Sequence, residues 1–136
     1  MSELVVAATS PKALISEAWQ SDGLAGVTAA ADEYAMRAQA DKASKYVADI
    51  VIENMTGVIT VTTETEANAG LPMDAASTNI AFLPNVRDAA LASGVTGAID
   101  WACVSSTNST ATARGLGNIT IPATPLPARY APSECR

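Results

Sequence analysis

The apolar residues of this chain change period once, near Tyr46. Before it, Leu4, Ala8, Pro11, Ile15 and Ala18 recur at steps of four and three and so share one helix face. Leu14 and Trp19 widen that stripe, while Glu3, Lys12, Ser16 and Glu17 lie away from it. From Tyr46 the period is two: Tyr46, Ala48, Ile50 and Ile52 alternate with Val47, Asp49, Val51 and Glu53. A chain that is helical first and alternating afterwards buries its helix against a sheet, which predicts an α+β domain.

The spacing predicts a helix over 2–20, ended by Gly23. Pro11 either kinks it or starts a new helix capped by Ser10. Residues 21–45 read as a loop with its own helical stretch, 29–40, capped by Thr28. The sheet spans 46–104. Asn54-Met55-Thr56-Gly57 makes a turn, and Val58 to Thr65 completes a hairpin. Asn79 to Leu83 is a third strand, stopped by Pro84. Gly97 to Val104 is a fourth, with Ile99, Trp101 and Cys103 on one face and Asp100 and Ala102 on the other. Strands joined this closely are antiparallel. The expected fold is one amphipathic helix packed on a four-stranded antiparallel sheet, with Leu4, Ala8, Ile15, Ala18 and Trp19 meeting Ile50, Ile52 and Trp101.

A chain of 136 residues is one domain's worth. It has no histidine, which removes the commonest general base and the commonest zinc ligand. Its net charge of −6 offers no electrostatic footprint for nucleic acid or an anionic membrane. No apolar run approaches the length that spans a bilayer. Two cysteines, Cys103 and Cys135, suit either one disulfide in an exported protein or two reduced buried thiols in a cytosolic one. After Val104 the chain turns polar, and prolines stand at 122, 125, 127 and 132, so this tail has few means of packing regularly. A Cys103–Cys135 bond would close a loop of about 32 residues and contribute roughly 3–4 kcal/mol by chain entropy.

Candidate chemistry is sparse. Asn54, Asn108 and Asn118 each begin an Asn-x-Thr triplet, which Thr-rich sequence also produces by chance. Ser10 with Lys12 and Ser44 with Lys45 are the Ser–Lys pairs that could replace a histidine-based triad, but neighbours so close in sequence point to different faces. Asp32, Glu33 and Asp41 lack the alternating oxygen ligands and central glycine of a calcium loop and read as solvated surface. No enzyme activity, cofactor or metal is therefore expected. Trp101 reads as core rather than as a binding aromatic. The polar loop 105–121 reads as exposed, and it is the stretch best placed for outside contacts.

The order of helix, loop, four strands and cysteine-bearing tail resembles the globular head of a type IVa pilin. Three stretches carry the resemblance: Ser2 to Lys12, with its proline, is similar to the outer half of the pilin spine helix; Gly97-Ala98-Ile99-Asp100-Trp101-Ala102-Cys103 to the last sheet strand; and Leu126 to Arg136, with Pro132 and Cys135, to the closing tail. The resemblance implies a Cys103–Cys135 disulfide bounding a C-terminal loop, 103–135. It implies the major filament subunit of a type IV pilus on the cell surface, held in the inner membrane before assembly. The membrane would be met only through an apolar N-terminal half-helix that this sequence lacks, which makes it a truncated soluble form. Implied partners are other pilin subunits, the pilus assembly machinery, and host or abiotic surfaces, with no strong direct nucleic-acid binding by the head itself. Implied roles are twitching motility, adhesion, biofilm formation and DNA uptake. The alternatives are a minor pilin, a type II secretion pseudopilin, in which a calcium site usually replaces the disulfide, or a small exported binding module.

Overall fold

The structure, a computed structural model, describes residues 2–136. A long helical run, α1 (Ser2–Ala35), is followed by a single turn, α2 (Gln39–Lys42), and a four-stranded meander: β1 (Val47–Ile52), β2 (Ile59–Thr63), β3 (Asn79–Asn85) and β4 (Asp100–Val104). The strands lie in the order β1-β2-β3-β4, and every neighbouring pair is antiparallel.

Residues 21–45 differ from the predicted loop, because the chain stays helical to Ala35 with a break at Gly23. Gly23 has φ 65° and ψ −146°, a conformation essentially closed to residues with a Cβ. The break resets the helix phase. Before it, Leu4, Ala8, Pro11, Ile15 and Trp19 are buried; after it, Val27, Ala30, Ala31 and Tyr34 are. A Cβ on Gly26 would sit 2.5 Å from the Ala18 carbonyl oxygen, so this close return past the break also requires glycine. Thr28 is not a cap. It lies inside the helix, where its hydroxyl is 3.2 Å from the Leu24 carbonyl and 2.8 Å from the Asn54 carbonyl. The helix runs through Pro11, with no new start at Ser10.

Two strand features also depart from simple alternation. A bulge between Val47 and Asp49 shifts the phase of β1, so Val47, Ile50 and Ile52 all face the helix. Pro84 does not stop β3, which continues to Asn85. β2 pairs with β3 only as far as Phe82, so Pro84 has no strand on its outer side that needs an N–H from it.

The main core lies between α1 and the sheet. Leu4, Ile15, Val27, Ile59, Ile80, Phe82 and Leu126 are fully enclosed there. Each such side chain contributes about 1.5–3 kcal/mol of burial. Two indoles stitch the layers together: Trp19 donates to the Gly97 carbonyl at 2.8 Å, and Trp101 to the Ser16 hydroxyl at 3.3 Å.

A second, smaller core lies on the opposite face of β3 and β4. Ala81, Leu83, Ala102 and Val104 are covered there by Ala111 and Leu116 of the tail. Residues 105–121 are thus only partly the exposed polar loop that the sequence predicts. A short helix, α3 (Ser109–Ala113), buries Ala111, and Ser105 is fully enclosed. The sequence hides this because the apolar residues involved are few and small.

The β2–β3 connection is closed by a buried threonine network. The Thr63 hydroxyl donates to the Ala75 carbonyl at 2.7 Å and accepts the Thr78 backbone N–H at 2.8 Å. Thr63→Val keeps the volume but orphans that N–H. The expected cost is about 1–3 kcal/mol, read as a lower urea midpoint at unchanged slope.

Candidate functional site: the tethered tail and the sheet groove

Cys103 at the end of β4 and Cys135 in the last turn of the chain are joined in a disulfide with a sequence separation of 32. The tail between them is held by more than this bond. Cys135 is fully enclosed, and its carbonyl accepts the Ser105 hydroxyl at 2.5 Å. Leu126 is fully enclosed, and its N–H donates to the Asn79 carbonyl at 2.9 Å. Asp74, in the β2–β3 connection, receives Arg129 as an ion pair and the Tyr130 hydroxyl at 2.9 Å. Arg114 pairs with Asp100 and donates to the Trp101 carbonyl at 3.1 Å.

The other residues of the expected helix–sheet contact fall as follows. Leu4, Ala8, Ile15, Trp19, Ile50 and Ile52 are buried in the main core, and Ala18 and Trp101 pack against it half-buried. The three Asn-x-Thr side chains are already engaged. Asn54 donates to Asp32, Asn108 to the Ile119 carbonyl and Asn118 to the Pro84 carbonyl, each at 3.0 Å. Among the described residues, no three acidic or cysteine side chains converge where they could hold a metal ion. No helix among them is long and apolar enough to cross a membrane.

Lys12 leaves the helix on the side facing the tail, and its ammonium stands 4.3 Å from the centre of the Phe82 ring. Burial lowers its pKa below the ordinary lysine value of 10.5, with Glu134 pulling the other way. The unfolded chain therefore holds this proton more tightly than the folded one, and Lys12 makes stability rise as pH climbs toward 10.5. Burial raises the Tyr34 pKa above 10.0, so that residue acts oppositely and loses stability at higher pH. Lys12→Met removes the half-buried charge over Phe82 and leaves an apolar side chain of similar length. It is expected to raise the melting temperature by about 1–2 °C at neutral pH. The gain should shrink as pH approaches 10.5, the Tyr34 effect cancelling between the two proteins. Melting curves of both proteins across that range check it.

The sequence gives little warning of a groove of about 490 Å³ on the sheet face turned away from α1. Val58 and Thr60 of the second half of the hairpin, with Ala81 and Leu83 of β3, form its floor. Residues 118–123 make one wall, and Glu53 and Thr56 close one end. The wall is fixed by a reciprocal amide pair. Buried Asn85 donates to the Asn118 carbonyl at 3.2 Å and accepts the Asn118 N–H at 2.9 Å. Asn79 holds the far end, donating to the Ala123 carbonyl at 2.7 Å. The lining is mainly apolar, interrupted by hydroxyl and amide groups, with Glu53 as its one charged side chain.

These features recur in known proteins. The family model for pilin, a bacterial filament protein, matches residues 1–136. A crystal structure of a type IV pilin from Pseudomonas aeruginosa superposes with a TM-score of 0.79 at 34 % identity, over 99 % of this chain and 94 % of that one. Among curated proteins, none is detectably similar in sequence. A spine helix under a four-stranded antiparallel meander, closed by a disulfide from the last strand to the tail and matched by the family model along its full length, places this chain in the pilin family.

Proposed function

We propose that this chain is the repeating structural subunit of a type IV pilus, working by assembly rather than by catalysis. The observation that carries the reading is the conjunction of the spine helix, the meander and the tethered tail in a chain of pilin family. α1 serves as the rigid member that orients the head. Cores on both faces of β3 and β4 keep the head from yielding under load. Its partners are other copies of itself, the pilus assembly machinery and the surfaces to which the fibre attaches. Twitching, adhesion, biofilm formation and DNA uptake are the roles such a fibre would serve. Deleting the gene should remove the fibres from the cell surface, and restoring it should return fibres that bind antibody raised against this chain. Unlabelled fibres persisting in normal number would overturn the reading.

The shaft itself is expected to bind DNA poorly. Of the tail's three cations, Arg114 and Arg129 are each paired with a carboxylate, and Arg136 donates to the Ala131 carbonyl at 2.9 Å. Binding to a polyphosphate needs several uncommitted cations on one face. A gel-shift assay at physiological salt should show no complex at micromolar concentrations of the purified chain. Micromolar or tighter binding would contradict this.

A further inference from the structure

The groove lies on the sheet face turned away from α1, so a fibre that turns α1 toward its axis leaves it open to the surroundings on every subunit. Its volume of about 490 Å³ is that of a small-molecule site. The polar groups in its lining are unequally available. Asn79 donates to the Ala123 carbonyl and accepts the Thr62 hydroxyl, both at 2.7 Å, and Asn118 donates to the Pro84 carbonyl at 3.0 Å. The Thr56 hydroxyl accepts the Val58 N–H at 3.3 Å. Glu53, at the end of the groove, is exposed, and its carboxylate has neither an ion pair nor a hydrogen bond among the described residues. The Thr60 hydroxyl, half-buried on the floor, is likewise without a partner among them.

The strand register sets the distance from that free charge to the apolar floor. The Glu53 N–H donates to the Val58 carbonyl, so these two residues stand opposite each other. Val58 and Leu83 each lie one residue beyond the Ile59–Phe82 pair, which makes them neighbours across the next gap. Glu53, Val58 and Leu83 therefore form a row that crosses two strand spacings, about 9–10 Å. We propose that the groove binds a small amphiphilic cation: an ammonium group held by Glu53, on an unbranched apolar chain of about six carbons that lies over Val58 and Leu83. A sugar suits this lining poorly. Among the described residues no aromatic ring lines the groove for a pyranose to stack on, and both amides are already bonded. An anionic amphiphile meets the one charge in the lining with the wrong sign. The ligand is small and the site open to solvent, so the expected Kd is on the order of 1 mM. This binding goes beyond the filament reading and is a property of the single head.

The test is an NMR titration of the isotope-labelled chain at neutral pH with hexylammonium chloride, hexanol and sodium hexanoate, three ligands that share one chain and differ in charge. Hexylammonium is expected to give saturable amide shifts at Val58, Thr60, Leu83 and Ile121. It should bind about three- to fivefold more tightly than hexanol, the effect of one solvent-open ion pair. Hexanoate should bind at least tenfold more weakly than hexylammonium, because attraction is replaced by repulsion. Glu53→Gln should bring hexylammonium down to the affinity of hexanol and leave hexanol unchanged. Glu53→Lys should reverse the order, with hexanoate the tighter ligand. Circular dichroism establishes that each variant is folded. Shifts that do not saturate by about 20 mM ligand, or that fall away from the groove, would overturn the site. Equal affinities for hexylammonium and hexanol in the unaltered chain, or an order unchanged by Glu53→Lys, would overturn the role given to Glu53 and with it the choice of a cation.

Discussion

Reducing the Cys103–Cys135 bond, or replacing Cys135 by serine, is expected to lower stability by about 3–4 kcal/mol, the chain-entropy value for a loop of this length. For a domain of this size that is a fall in melting temperature of roughly 10–15 °C. The loss should be uneven. Around Cys135 the last turn of the chain is joined to the sheet by the disulfide and the Ser105 hydroxyl, and α3 is tied to that turn by the bond from Thr110 N–H to the Arg136 carbonyl. These segments should exchange amide hydrogens fastest after reduction. The stretch around Leu126 is anchored by burial and by Asn79. It should stay protected, as should α1 and the sheet. Hydrogen exchange on oxidised and reduced protein reads both parts. Free thiols in never-reduced protein, or a loss below about 1 kcal/mol, would contradict the expectation.

Phe82→Ala is expected to cost about 3–5 kcal/mol, the usual range for emptying a fully enclosed aromatic site. Phe82 is completely buried on β3, between β2 and β4, and it is the largest of the fully enclosed side chains. Its ring lies under the Lys12 ammonium from α1, so the cavity opens between the spine and the sheet. Unfolding should remain a single cooperative transition at a much lower denaturant midpoint. Leu116→Ala, in the smaller core under the tail, is the contrast. It should fall near the lower end of the ~2–5 kcal/mol range for leucine truncations, because this site lies near solvent and collapses more readily. Equal costs for the two variants would mean that the core under the tail resists collapse as strongly as the main core does.

Local pattern carried much of the architecture. The four-and-three spacing from Leu4 to Ile15 survives as a buried helix face, and the alternation after Tyr46 survives as the meander. Local rules failed where a distant neighbour decided the outcome. Gly23 reads as a stop, yet the helix resumes at once because Val27, Ala31 and Tyr34 have a sheet to pack on. Pro84 reads as a strand end, yet it is tolerated because β2 has already run out beside it. The tail's small core rests on Ala111 and Leu116, which carry no periodic signal. The groove was the least legible feature. Its wall is positioned by Asn85 with Asn118 and by Asn79 with Ala123, pairs more than thirty residues apart in sequence. Nothing near Thr120 or Ile121 in the sequence marks that stretch as the side of a cleft.

Electron cryo-microscopy of the surface fibres, with helical reconstruction, tests the central claim most directly. The account predicts fibre density into which this chain's fold fits as the repeating unit, with α1 turned toward the fibre axis and the disulfide-bound tail on the head around it. A fibre built from a different fold, or fibres from which this chain is absent, would contradict it.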